Sequence, residues 1–234
     1  MLNLRRAAAA LAAVATLTVL GAAAPAGAAT TSGTAAASAA PAAPAPARSA
    51  ATPAPTAPAG TTGGPRTIHV GSLTITGTLT PLSGKQAKAR PMGCCNPVGI
   101  VNYNSGKCLE TYHSATNDGA TVDQWDCNGS NTQLWYQNEV STYAGYPVYT
   151  LQNSNSFECL EVYHSAQTNG SKVDQWSCNG TQTQEWIYIS INGSDKYVNV
   201  NTGKLLEVYN SSTADGAAVD QWTDNGSATQ HWHG

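Results

Sequence analysis

The chain has 234 residues and is 41% hydrophobic, but alanine near the N-terminus supplies much of that share; with one Phe and two Met, any core must come from Trp, Tyr, Val, Leu and Ile of the second half. From Lys107 onward the chain carries all fourteen of its Asp and Glu against four lysines, a net charge of −10. That sign excludes phosphate-backbone recognition, and so nucleic acid as a partner, and it disfavours strongly anionic polysaccharides.

In chain order, Arg5 and Arg6 precede an apolar run from Ala7 to Leu20, and Ala26-Gly27-Ala28 follows as a small-residue cleavage site. Residues 1–28 therefore read as a signal peptide of a secreted, extracellular protein. The run is too short to cross a bilayer, and no later segment is apolar enough, so no membrane span is expected. Residues 29–65 are Ala, Pro, Thr, Ser and Gly with almost no charge. Such a composition buries too little apolar surface to offset its chain entropy, which predicts a disordered tether. Residues 66–96 form a short extension of unknown role. Within it Ile68, Val70, Leu73, Ile75 and Leu79 suggest a hairpin turning at Gly71, and Lys85, Lys88 and Arg90 make a small basic patch read as solvated linker.

Residues 97–234 say one thing three times. The first unit reads Cys108-Leu-Glu-Thr-Tyr112, Thr121-Val-Asp-Gln-Trp125-Asp-Cys127 and Thr132-Gln-Leu-Trp135. The second reads Cys159-Leu-Glu-Val-Tyr163, Lys172-Val-Asp-Gln-Trp176-Ser-Cys178 and Thr183-Gln-Glu-Trp186, and the third Leu205-Leu-Glu-Val-Tyr209, Ala218-Val-Asp-Gln-Trp222 and Thr229-Gln-His-Trp232. Matching Trp residues stand 51 and 46 positions apart, and all six Trp of the chain fall in this scheme. Short β-favouring runs alternate with Asn-Gly and Asp-Gly pairs, the strongest local hairpin signal. Four runs per unit predict about twelve strands, an all-β domain closed by threefold repetition.

Cys-Leu-(Asp/Glu), Val-x-x-Trp-x-Cys and Gln-x-Trp, repeated three times, resemble the ricin-B-type lectin family. Its fold is the β-trefoil, and its members include plant lectin chains and modules appended to bacterial xylanases and arabinofuranosidases. The resemblance covers about residues 97–234 and implies carbohydrate binding without catalysis. It matches Trp125, Trp176 and Trp222 to the family's sugar-stacking aromatic, and Glu110, Glu161 and Glu207 to its hydroxyl-accepting acid. Asp123, Asp174 and Asp220 stand two residues before each stacking Trp, on the same strand face. Gln133, Gln184 and Gln230 open the Gln-x-Trp motifs and order the pocket, and Tyr112, Tyr163 and Tyr209 widen the platform. Trp135, Trp186 and Trp232 are expected in the core.

The departures from the family are concerted. The acid is Glu where the family commonly has Asp, Asp replaces a common Gln, and Thr132, Thr183 and Thr229 replace a common Asn. Galactose specificity therefore does not carry over, and a neutral arabinose-, xylose- or galactose-containing polysaccharide is the expected partner. Paired carboxylates also suit Ca²⁺, but no metal or other cofactor is expected. The third repeat lacks both scaffold cysteines yet keeps Glu207, Tyr209, Asp220, Trp222 and Gln230, which favours a ligand role over a scaffold one.

In an exported chain cysteines read as disulfides. Cys108 with Cys127 and Cys159 with Cys178 share a nineteen-residue separation in matching repeats, while Leu205 and Asp224 stand at those places in the third, which is expected to hold by packing. Cys94 and Cys95 leave two alternatives open, a strained vicinal bridge or a bridge to a second molecule that gives a covalent dimer. Zinc is disfavoured because no second Cys or His pair lies nearby. A glycosidase needs its carboxyl pair at a defined separation in an enclosed site, whereas here the pair is triplicated on a small repeat, so the chain is not expected to be an enzyme. The competing class is a protein-binding trefoil, an inhibitor or adhesin, acting through one unique loop.

Overall fold

The computed structural model describes residues 64–82 and 96–234. The signal peptide, nearly all of the tether, the patch of Lys85, Lys88 and Arg90, and the Cys94–Cys95 pair lie outside the described residues. Among the described residues the regular structure is strand with single 3-10 turns, and no helix is long and apolar enough to cross a membrane.

The first repeat supplies β4 (Val98–Gly99), β5 (Val101–Asn102), β6 (Cys108–Thr111), β7 (Val122–Trp125) and β8 (Leu134–Tyr143); β4 and β5 are halves of one strand interrupted at Ile100. The second supplies β9 (Tyr146–Asn153), β10 (Cys159–Val162), β11 (Ser171–Trp176) and β12 (Glu185–Ile191). The third supplies β13 (Ser194–Asn199), β14 (Leu205–Val208), β15 (Ala217–Trp222) and β16 (Trp232–His233). Six strands, β4 and β5 counting as one, close a ring by antiparallel pairing: β4 with β8, β8 with β9, β9 with β12, β12 with β13, β13 with β16, and β16 with β5. Closure leaves no free barrel edge. The hairpins β6–β7, β10–β11 and β14–β15 cap one end. Their second strands meet around the axis, β11 against β15, β15 against β7, and Thr121 of the first repeat against Asp174. This is the closed threefold all-β domain that the repeat predicts and the β-trefoil that the resemblance implies.

Packing explains the motif. Trp135, Trp186 and Trp232 are fully buried, and each donates its indole N–H to the carbonyl of Leu109, Leu160 or Leu206 in its own cap hairpin. Each indole therefore ties barrel to cap while keeping its one donor satisfied. The buried glutamines Gln124, Gln175 and Gln221 latch the repeats together. Gln124 donates to the carbonyls of Ser212 and Ala214, Gln175 to those of Ala115 and Asn117, and Gln221 to those of Ala166 and Thr168.

The extension forms the expected hairpin, β1 (Arg66–Val70) and β2 (Leu73–Gly77), turning at Gly71, whose φ of 60° suits a residue without Cβ. β3 (Leu79–Pro81) then adds to the edge of β8. Ile68, Val70 and Ile75 bury themselves in one cluster with Tyr143, Val148, Ile187, Ile189, Val198, Val200 and Leu205.

Both predicted disulfides are present, Cys108–Cys127 and Cys159–Cys178. In the third repeat packing is only part of the answer. Leu205 joins the cluster under the hairpin, and Asp224 pairs with Lys196 at 2.8 Å and accepts the Gly71 N–H at 2.6 Å. The appended hairpin thus clasps the repeat that has no disulfide.

Candidate functional site

The three cap hairpins put the predicted acids directly opposite one another: Glu110 faces Asp123, Glu161 faces Asp174, and Glu207 faces Asp220. The stacking candidates follow two residues on, at the strand ends. Trp125 is 36% exposed, and Trp176 and Trp222 are half-buried. Each Tyr begins a 3-10 turn, Tyr112–Ser114, Tyr163–Ser165 or Tyr209–Ser211. Tyr112 and Tyr163 stack on His113 and His164 with ring centroids 3.7 and 3.8 Å apart, whereas Tyr209, followed by Asn210, stands exposed.

The motif glutamines are committed inside the protein. Gln133 donates to Glu110 Oε2 at 2.8 Å and to the Asp126 carbonyl, and its own carbonyl accepts the Asn128 N–H. Gln184 does the same with Glu161, Ser177 and Asn179, and Gln230 with Glu207, Thr223 and Asn225. With both amide hydrogens used, they hold the glutamates in place and fit the ordering role read from the sequence. Thr132, Thr183 and Thr229 bond Ser130, Thr181 and Ser227.

The aspartates are different. Asp123 and Asp220 are buried, and neither oxygen of either carboxyl meets a hydrogen-bond donor from another described residue. A buried polar group without a partner costs on the order of 1–3 kcal/mol, and the carboxyls respond by holding their protons. Burial, with Glu110 adding to it, pushes Asp123 up to about 8. Burial and Glu207 take Asp220 to about 7. Burial takes Asp174 to about 7, with Glu161 adding and Lys172 opposing. Glu161 rises to about 7 through burial, against the Gln184 hydrogen bond, and Glu110 and Glu207 are raised for the same reason. In its protonated form such a carboxyl both donates and accepts, as an amide does.

The sites are not identical. Lys172 reaches Asp174 Oδ2 at 3.4 Å and the Gly119 carbonyl at 3.0 Å while lying 5.4 Å over the Tyr163 ring. Thr121 and Ala218 stand at that place in the other repeats. The first and third sites thus keep two unpartnered carboxyl oxygens, and the second keeps one.

Sequence reasoning missed a wall of the first and third sites. A Cβ on Gly216 would lie 3.6 Å from the Trp125 ring and 3.9 Å from Asp123 Oδ2; one on Gly170 would lie 3.5 Å from the Trp222 ring and 3.8 Å from Asp220 Oδ2. Each glycine comes from another repeat than the site it lines, and both have φ near +75°. The Asp-Gly and Asn-Gly pairs signalled turns but not this second use.

No group of three or more His, Cys, Asp or Glu able to hold a metal occurs among the described residues. A carboxyl pair beside an indole face has the chemistry to meet a hydroxyl-bearing ring, with the C–H face against the indole and hydroxyls at the carboxyls.

Comparison with known proteins bears on this geometry. The model of the ricin-type β-trefoil lectin domain matches residues 96–232. A comparison with curated proteins gives no match. Among solved structures, the designed threefold-symmetric protein ThreeFoil is 33% identical, with a TM-score of 0.54 over 58% of this chain and 94% of its own. An exo-β-1,3-galactanase from Clostridium thermocellum is 26% identical, with a TM-score of 0.57 over 68% of this chain but only 38% of the galactanase. The Rhizoctonia solani agglutinin, at 16% identity and a TM-score of 0.52 over 62% and 97% of the two chains, shares the fold.

Proposed function

Because the chain belongs to the ricin-type β-trefoil lectin family, a family of carbohydrate-binding domains that are generally not catalytic although some are fused to enzymes, we propose that it is a secreted lectin holding polysaccharide through its three repeat sites. The observation that carries the reading is the threefold recurrence of a half-exposed Trp beside a Glu–Asp pair whose Asp has unpartnered oxygens. Sugar hydroxyls are the donors and acceptors such carboxyls lack. The charge of −10 from Lys107 onward supports a polymer without acidic groups, such as a neutral arabinose-, xylose- or galactose-containing one. Three weak sites facing outward around one axis gain affinity on a polymer through effective concentration.

Affinity electrophoresis of the mature protein through gels holding such polysaccharides tests the reading, with galactose-containing polymers first because a galactanase is among the similar structures. A Trp125→Ala, Trp176→Ala, Trp222→Ala variant runs alongside. Retardation of the native chain but not of the folded variant is expected. If no polymer retards the native chain, sugar binding falls while the fold stands.

A further inference from the structure

The end of the barrel opposite the cap holds a cavity of about 290 Å³ lined by Asn96, Val98, Gln137, Tyr149, Tyr188, Asp195 and Gly234. Strand register shows how it arises. Trp135, Trp186 and Trp232 pair with Val98, Tyr149 and Asp195 on the neighbouring strands of the barrel wall, so these three occupy matching places in the three repeats. Two residues beyond each Trp stand Gln137, Tyr188 and Gly234, a second matching set. The Trp layer beneath is the same in every repeat and fills the axis. In the next layer outward the repeats differ: one contributes two tyrosines, one a valine and a glutamine, one an aspartate and a glycine. Large side chains on one side and Val98 and Gly234 on the other leave the axis unfilled.

The groups around that space are chosen in kind. Tyr149 and Tyr188 meet edge to face with centroids 5.8 Å apart, and Tyr188 leans on Tyr197 at 5.6 Å. Asp195 stands beside Tyr188 in the cavity lining. Gln137 donates to the Tyr197 hydroxyl at 3.1 Å, which fixes its amide at the cavity wall. Aromatic walls with a carboxylate, an amide and tyrosine hydroxyls on the rim suit a compact ring that presents C–H on one face and hydroxyls at its edge. The volume is at the low end of the ~300–1,000 Å³ common for small-ligand sites, room for one ring and not for a polymer chain.

We propose that this cavity is a fourth, axial binding site for a single sugar ring or a similarly compact polyol, distinct from the three repeat sites. It takes free monosaccharides or a chain end, because the space admits one ring. The residues that form it are not those of the repeat sites, so the two readings can be tested apart.

Isothermal titration of the full-length triple variant (Trp125→Ala, Trp176→Ala, Trp222→Ala) with the methyl glycosides of galactose, arabinose, xylose and glucose is the experiment. One equivalent of at least one glycoside should bind. Tyr149→Ala in that background should weaken it by roughly tenfold, the worth of a ring contact of about 1.4 kcal/mol. Val98→Trp, which fills the cavity from the opposite wall, should do at least as much, and melting curves report whether each variant is folded. If the folded triple variant binds none of them while the native chain still binds polymer, the axial site falls and the repeat-site reading stands. Binding that neither Tyr149→Ala nor Val98→Trp alters also overturns it. If the native chain binds no polymer but the variant binds one glycoside that Tyr149→Ala weakens, the axial site stands and the repeat-site reading falls.

Discussion

The first two repeats and the third reach the same shape by different chemistry. Cys108–Cys127 and Cys159–Cys178 staple the first two covalently. In the third, Leu205 packs under a hairpin that precedes the whole trefoil in sequence, and Asp224 joins Lys196 to that hairpin's Gly71 N–H. A disulfide restrains one repeat wherever the rest of the chain goes; a clasp built from residues more than a hundred positions away works only once the domain has closed. The cross-strand Glu–Asp pair is nevertheless the same in all three, so its geometry does not depend on which device holds the repeat.

Removing one device at a time sharpens that contrast. A chain lacking residues 66–82 uncovers the face of Val198, Val200 and Leu205 and loses the burial of Ile68, Val70 and Ile75. At ~2 kcal/mol for each of those three side chains the loss is about 6 kcal/mol, read from urea unfolding. Replacing Cys108 and Cys127 by Ala should cost about 3 kcal/mol, the value for a closed loop of this length. A hairpin deletion costing less than one disulfide would contradict the clasp.

The clasp aspartate and the site aspartate respond oppositely to pH. Burial works against ionisation of Asp224, yet the hydrogen bonds from Lys196, Gly226 and Gly71 hold its carboxyl below the usual value. Its contribution is present above the unfolded carboxylate value near 4 and is lost as pH falls through the lowered one. Asp123, buried and facing Glu110 and Asp215, is raised to about 8 by burial first and those charges second, so its stabilising protonated state is complete below about 4 and is lost as pH climbs to about 8. Melting temperature should therefore fall from pH 5 to pH 9, and Asp123→Asn, which cannot ionise, should flatten that limb. Asp224→Asn should instead remove part of the loss on the acid side. A flat profile between pH 5 and pH 9 in the native chain would contradict the buried, unpartnered state of the aspartates.

The smallest expected difference lies between the sites themselves. Lys172 already partners one oxygen of Asp174, so Trp176→Ala should cost less polymer affinity than Trp125→Ala or Trp222→Ala. Lys172→Ala should bring the second site closer to the other two. Equal losses at all three Trp would show that the Lys172 contact does not matter to binding.

Where the sequence repeats itself, it foretold the structure: strands, turns, core Trp, disulfides and the Glu–Asp–Trp grouping all follow from residues at fixed offsets within one unit. The features it hid depend on unlike or distant residues. The turn at Gly71 could be read locally, but its seat on Val198 and Leu205 could not. Gly170 and Gly216 line sites belonging to other repeats, which no offset within a unit reveals. The axial cavity sits where the repeats diverge into Gln137, Tyr188 and Gly234, and a search for similarity passes over that layer.

The most direct test of three-site sugar recognition is polymer affinity measured across single, double and triple Ala replacements of Trp125, Trp176 and Trp222, each confirmed folded. Avidity that declines stepwise with every site removed is the predicted result. Complete loss on one substitution, with the other two without effect, would contradict it and point to a single protein-binding surface.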